Sequence, residues 1–169
     1  MQFPQPNLLS VPCNFVTYVP GKPHPDGRRY LPLLHLHFIN ADPLSGADLM
    51  LGVVDRHHRV DLALTGREGW AALVLLLGKV TAQVNTTWRG VVAEADHANV
   101  STLPTVYGRV AQVFSVQLER PEPYTLLVEL LLDIGIGMVG MRSLLATEPQ
   151  VGDWLQVERP RIDILALTQ

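Results

Sequence analysis

The chain is poor in cysteine, lysine, aromatic side chains and charge. Of its 169 residues one is a cysteine, Cys13, so no intramolecular disulfide and no paired-thiol motif can form, and a reducing, cytoplasmic setting is the expectation. Charged residues make up 17% and the net charge is −3, which argues against a protein that lives by diffuse attraction to phosphate. Aromatics are 7%, which leaves little surface on which bases could stack. Two lysines stand against eleven arginines, a balance suited to bidentate or stacking contacts. No long hydrophobic run spans a bilayer: AALVLLLG is too short, and YTLLVELLLDIGIGMVGM carries Glu129 and Asp133. No membrane partner is expected. MQFPQPNLLSVPCNF has neither a basic start nor a continuous apolar stretch, so it does not read as an export signal, and the sequons at Asn85 and Asn99 are read as chance.

What the chain does have is alternation. NFVTYV, RYLPLLHLHFIN, DLMLGVVD, HRVDLALT, KVTAQVN, WRGVVAE, VYGRVAQVFSVQL, YTLLVELLLD, DWLQVE and RIDILALT each put apolar residues on every second position, the pattern of half-buried antiparallel strands. One segment reads differently. In TGREGWAALVLLLG, Thr65 and Glu68 have capping-box spacing, Trp70, Leu73, Val74 and Leu77 form a stripe at helical period, and Gly78 stands where a helix ends. The spacing predicts one short helix over about 66–77 in an otherwise all-β, mainly antiparallel protein. Short strands divided by Gly/Pro turns favour barrels or sandwiches over a doubly wound sheet.

EADHANVSTLPT, around 94–105, is small, polar and aperiodic and is the candidate linker, 96–104. Before it, over 1–95, the element order with a helix between the third and fourth strands resembles an OB-fold, the small five-stranded Greek-key barrel. After it, over 105–169, the order is similar to a minimal OB-like barrel without the helix. The resemblance is one of topology and implies two OB-like barrels in tandem; a single larger barrel or a β-sandwich is the alternative. The first 95 residues hold eight Lys+Arg against seven Asp+Glu and the rest five against nine, so the halves carry +1 and −4.

DIGIGMVG places Gly135, Gly137 and Gly140 at the G-x-G-x-x-G spacing of dinucleotide loops. Glu158 lies near the offset of a ribose-binding acid, yet too little chain follows for further βαβ units and MVGMRSLLATEP makes a poor helix. The glycines are therefore read as a barrel corner, with Asp133 to Gly135 as a hairpin turn, and no cofactor is expected.

His35 and His37 in LHLHF lie two apart on a strand and project from one face about 7 Å apart, a metal-ligand spacing for which Asp42, Asp55, His57 and His58 would be further donors. The stretch resembles the first cupin motif but lacks its glutamate, where Asp42 is a loose substitute, and the second motif is absent. A solvated pair is the plainer expectation, with a metal-dependent enzyme as the third reading. No G-x-S-x-G occurs, Ser45 reads as a turn serine and Cys13 has no nucleophile signature. The protein is expected not to be an enzyme.

Nucleic-acid binding needs cations for phosphate and rings for bases. Tyr18, Lys22, Arg28, Arg29, Tyr30, Arg56, Arg59, Trp88 and Arg89 are the candidates, with KPHPDGRRYL as a cationic hairpin loop beside Tyr30. The leading expectation is a non-enzymatic module that engages single-stranded nucleic acid through its N-terminal half. The alternative is a protein-interaction or assembly factor, with a protein partner or a second copy as its ligand.

Overall fold

Leu34, Leu36 and Phe38 are buried while Leu33, His35 and His37 between them are half-exposed, so LLHLHF forms a strand by its alternation. The computed structural model describes residues 2–28, 30–96 and 99–169. It contains eleven strands: β1 Val11–Val19, β2 Leu33–Phe38, β3 Leu49–Val54, β4 Glu68–Leu76, β5 Lys79–Ala82, β6 Gly90–Val92, β7 Thr105–Pro121, β8 Tyr124–Asp133, β9 Met138–Leu145, β10 Trp154–Glu158 and β11 Arg161–Thr168. The only helical elements among the described residues are 3-10 turns at Pro6–Leu8 and Leu62–Leu64. Among the described residues no helix is long and apolar enough to cross a membrane.

The strands form one sheet in the order β1-β2-β3-β11-β4-β9-β8-β7-β10-β5, with β6 on β7, and β1 pairs back onto β4. β1, β2, β3, β11 and β4 thereby close a five-stranded barrel, and the other strands extend from it. β3–β11 and β4–β9 are parallel; the other pairs are antiparallel. Register shifts in β1, β7 and β11 supply the bends that closure needs. β4 is the junction. One of its edges carries β11, while the other is divided between β1, opposite residues 68–71, and β9, opposite residues 74–76. Strands from both sides of the 96–104 segment therefore interleave in one sheet, as in a single larger barrel. β5 pairs with β10 alone, so the outer ladder stays open. The segment at 99–103 lies along β3: the Ser101 amide donates to Met50 O at 2.9 Å and the Gly52 amide to Ser101 O at 2.8 Å.

Two sequence expectations are corrected. The helix over 66–77 is the strand β4. Ala71, Leu73 and Leu75 face the barrel interior, and Ala72, Val74 and Leu76 join a second cluster outside it, under Phe3 and Leu9. A strand buried on both faces loses its alternation and imitates a helical stripe. Thr65 does not cap; its hydroxyl donates to Leu62 O at 2.6 Å. HRVDLALT is likewise not a strand. Asp55 accepts from the Arg59 and Val60 amides at 2.9 and 3.2 Å, and Asp61 from Ala63 at 2.9 Å, so carboxylates take the donors a sheet would have used.

The three glycines each have a separate task. Gly135, at φ +84°, forms the β8–β9 turn, in which the Ile134 amide reaches Gly137 O at 3.0 Å and Asp133 Oδ1 accepts from Gly135 at 2.9 Å. Gly137 and Gly140 lie against Ser10 and the Phe3 ring. No helix follows, and the motif is the hairpin corner.

The barrel interior is continuous with the core beneath β7 to β9: Phe15, Leu36, Phe38, Val53, Leu130 and Met141 belong to one buried cluster. Each such side chain contributes about 1.5–3 kcal/mol by leaving water.

Candidate nucleic-acid interface

β4 turns Trp70 outward at the end where it pairs with β1 and β11. Trp70 is 52% exposed. The other two tryptophans are engaged: Trp88 meets Tyr107 edge-on at 5.3 Å, and Trp154 lies 5.8 Å beneath the Arg109 guanidinium. Trp70 has no ring partner among the described residues, and it lines an open cavity of about 1120 Å³ together with Phe3, Arg59, Glu129, Arg142 and Thr168.

A second cavity, of about 640 Å³, adjoins the first through Arg142, which lines both. Its wall carries Arg56, His57 and Arg161 around Asp163, with Leu77 and Leu144 at its apolar side. Together the two cavities bring four arginines, Arg56, Arg59, Arg142 and Arg161, against two carboxylates, Glu129 and Asp163. This face is thus locally positive on a chain whose net charge is −3.

Strand register explains the cluster. Arg161 and Asp163 lie two apart on β11 and so project from the same side, while Asp163 pairs with Val54, two residues before Arg56. Arg161 grips the carboxylate with both arms, Nε to Oδ1 at 2.8 Å and Nη2 to Oδ2 at 3.2 Å, and Arg56 Nε approaches Oδ2 at 3.6 Å. The Asp163 side chain is 5% exposed. His57 sits below its ordinary value: lost hydration is the largest cause, the charges of Arg59 and Arg56 add to it, and Asp163 opposes them. His57 is therefore mostly neutral at pH 7.

The residues singled out in sequence are spread over four places. Arg56 and Arg59 are on the cationic face. Lys22, Arg28 and Tyr30 occupy the β1–β2 loop, closed by the Tyr30 amide on Lys22 O at 2.9 Å. There Arg28 Nε stands 3.6 Å from Asp26, and the exposed Tyr30 ring meets His24 edge-on. Arg29 lies outside the described residues. The loop is at the same barrel end as Arg56 and Arg161, because Val19, Leu33, Val54 and Asp163 are successive partners across the sheet. Tyr18 packs against the core. Trp88 and Arg89 are elsewhere: Gln83 holds the Trp88 backbone, and Arg89 pairs with Asp133 at 2.8 Å.

His35 and His37 share the outer face of β2, as their spacing predicts. His37 Nε2 stands 3.4 Å from Asp48, and no group of three or more His, Cys, Asp or Glu able to hold a metal forms among the described residues. Cys13 is buried, and burial pushes its thiol up to about 12.

Trp70, Arg142, Arg161 and Asp163 were not singled out in the sequence. Trp70 falls in the helical stripe expected from sequence, and Arg142 in MVGMRSLLATEP, where the sequence offers only a poor helix. The R-x-D spacing of Arg161 and Asp163 on an evident strand is the signal that could have found the pair. Compared with known proteins, the chain matches no protein-family model, no curated protein and no solved structure.

Proposed function

We propose that the protein is a non-enzymatic binding module that holds single-stranded nucleic acid along the outer face of β4, β11 and β9. The observation that carries this reading is the half-exposed Trp70 in a groove that continues past Arg142 to Arg56 and Arg161. A ring offers any base a stacking surface worth about 1–3 kcal/mol, and guanidinium groups track phosphates without reading sequence. The barrel order supports an OB-like reading. In OB-folds the loops joining strands 1–2 and 4–5 contribute to oligonucleotide binding. The corresponding connections here are the β1–β2 loop with Lys22, Arg28 and Tyr30, and the connection that leaves β4 at Leu77 and enters β11 at Arg161.

Fluorescence anisotropy with labelled single-stranded DNA and RNA of mixed sequence tests this. Binding is expected at low salt and falls with a log–log slope of roughly −3 if four phosphates are neutralised. Trp70→Ala weakens it about tenfold or more with the slope kept. Arg142→Ala weakens it and makes the slope shallower. Absence of binding to every oligonucleotide at low salt would overturn the reading.

A protein partner is the second reading. The β7–β8 hairpin supports it by exposing Leu118 and Tyr124 near its tip, where large apolar side chains suit a partner surface.

A further inference from the structure

A carboxylate as buried as Asp163 is costly unless it is paired and hydrogen-bonded. Arg161 meets that need through its Nε–Nη2 edge, and Arg56 contributes only its Nε. The two arginine side chains remain 31% and 40% exposed. Each therefore keeps nitrogens that Asp163 does not use, Nη1 on Arg161 and both Nη on Arg56, in the wall of the cavity that Arg142 also lines. Asp163 offsets one of the three guanidinium groups, and Glu129, opposite Arg142 across β8–β9, offsets a second, which leaves one positive charge. The buried contact also fixes the plane of the Arg161 fork, so its free edge is set before any ligand arrives. Leu76, Leu127 and Leu144 form the apolar side of the cavity.

We propose that the notch between Arg56, Arg142 and Arg161 binds a phosphate group, and that Asp163 is its positioning residue. A tetrahedral anion matches three donors that come from three strands or loops and keep a net positive charge, where a planar carboxylate presents only two oxygens in one plane. The identification of the phosphate's carrier as a nucleic-acid strand rests on the function proposed above; binding of the phosphate itself does not.

The test uses the full chain and inorganic phosphate, followed by amide NMR shifts and thermal melts, with chloride at equal ionic strength as reference. Wild type is expected to give a saturable response centred on the notch. Arg142→Ala weakens it about tenfold or more, as loss of a charge-assisted hydrogen bond implies. Asp163→Asn is the discriminating variant: it adds one net positive charge, so attraction alone would tighten binding, whereas loss of positioning loosens it. Where Asp163→Asn does not fold by circular dichroism, the more exposed Arg56→Ala takes its place and is expected to weaken binding. No saturable response in wild type, unchanged affinity in Arg142→Ala, or tighter binding in folded Asp163→Asn overturns the proposal. Oligonucleotides with and without a 5′-terminal phosphate form the second arm. Preference for the phosphorylated strand assigns the notch to a terminal monoester, and equal binding that is weakened by Arg142→Ala assigns it to a backbone diester. Phosphate binding without oligonucleotide binding would sink the nucleic-acid reading and leave the notch standing; oligonucleotide binding indifferent to Arg56, Arg142 and Arg161 would do the reverse.

Discussion

Ser10 and Met138 exchange two backbone hydrogen bonds, each 3.0 Å long, which tie the residue before β1 to the first residue of β9. Gly137 lies beneath this bridge. A Cβ at Gly137 would meet the Ser10 carbonyl oxygen and come within 2.9 Å of Val11 Cα, both of them backbone, so nothing can rotate aside. At Gly140 the obstacle is the end of a side chain, Phe3 Cζ at 2.6 Å. Gly137→Ala is expected to cost about 1–3 kcal/mol, in the range of overpacked sites, and Gly140→Ala less, because a packed side chain can shift by a few tenths of an ångström where a backbone bridge cannot. Urea melts of the two variants give the comparison, and a larger loss for Gly140→Ala would contradict the geometry.

Cys13 gives an alkaline signature. Its thiol titrates near 9 when unperturbed and about 12 in the fold, so between these values the unfolded chain has released a proton that the native one retains. The contribution is intact below about pH 9 and is lost as pH rises towards 12. Melting temperatures of wild type are expected to fall more steeply over this window than those of Cys13→Ala. Ellman's reagent should react with Cys13 only after unfolding.

The segment along β3 gives an acid signature. Burial would raise the Glu94 carboxyl, but hydrogen bonds from Ser101 Oγ and from the Thr102 and Leu103 amides outweigh it and hold the group below the usual carboxylate range. The stabilisation is present above that range and disappears as pH falls through the lowered value. Amide exchange at Gly52 and Ser101 should therefore accelerate in acid relative to the intrinsic rate, while Glu94→Gln should show the faster exchange already at neutral pH.

Leu77 sits at φ +61° and is 80% exposed. A left-handed backbone costs a non-glycine residue roughly 1–2 kcal/mol, and a glycine recovers this less about 0.4–1 kcal/mol of unfolded-chain entropy. Leu77→Gly is expected to raise stability by up to about 1.5 kcal/mol and, because Leu77 lines the phosphate notch, to weaken oligonucleotide binding. A variant that loses stability would show that the leucine packs more than its exposure indicates.

How far the sequence could be read depended on how many faces of each strand are covered. Tyr124–Asp133 and Arg161–Thr168 have the bounds read from the sequence; over 124–130 β8 keeps one face more open than the other, while β11 is buried without a break over 162–164 and is bounded instead by Pro160 and its polar end. Residues 71–76 are buried without a break, and a run with no polar beat carries no period to read. The cause is Phe3 and Leu9, more than sixty residues away in sequence and invisible to any local window. The cationic face divides in the same way. Arg56 and Arg59 stand out in the sequence as cations, but their meeting with Arg142 and Arg161 follows from β11 lying between β3 and β4, a long-range pairing that no local pattern announces.

That placement of β11 bears on how the chain is made. During synthesis β1 to β4 emerge first, and the barrel they line has a gap between β3 and β4 until β5 to β10 have all left the ribosome and β11 arrives to fill it. Closing so distant a pairing is slow, and the nascent chain meanwhile holds two unpaired strand edges and an open apolar interior. Production of this protein should therefore depend more on protection of the half-made chain, by temperature or a chaperone, than its finished stability would suggest.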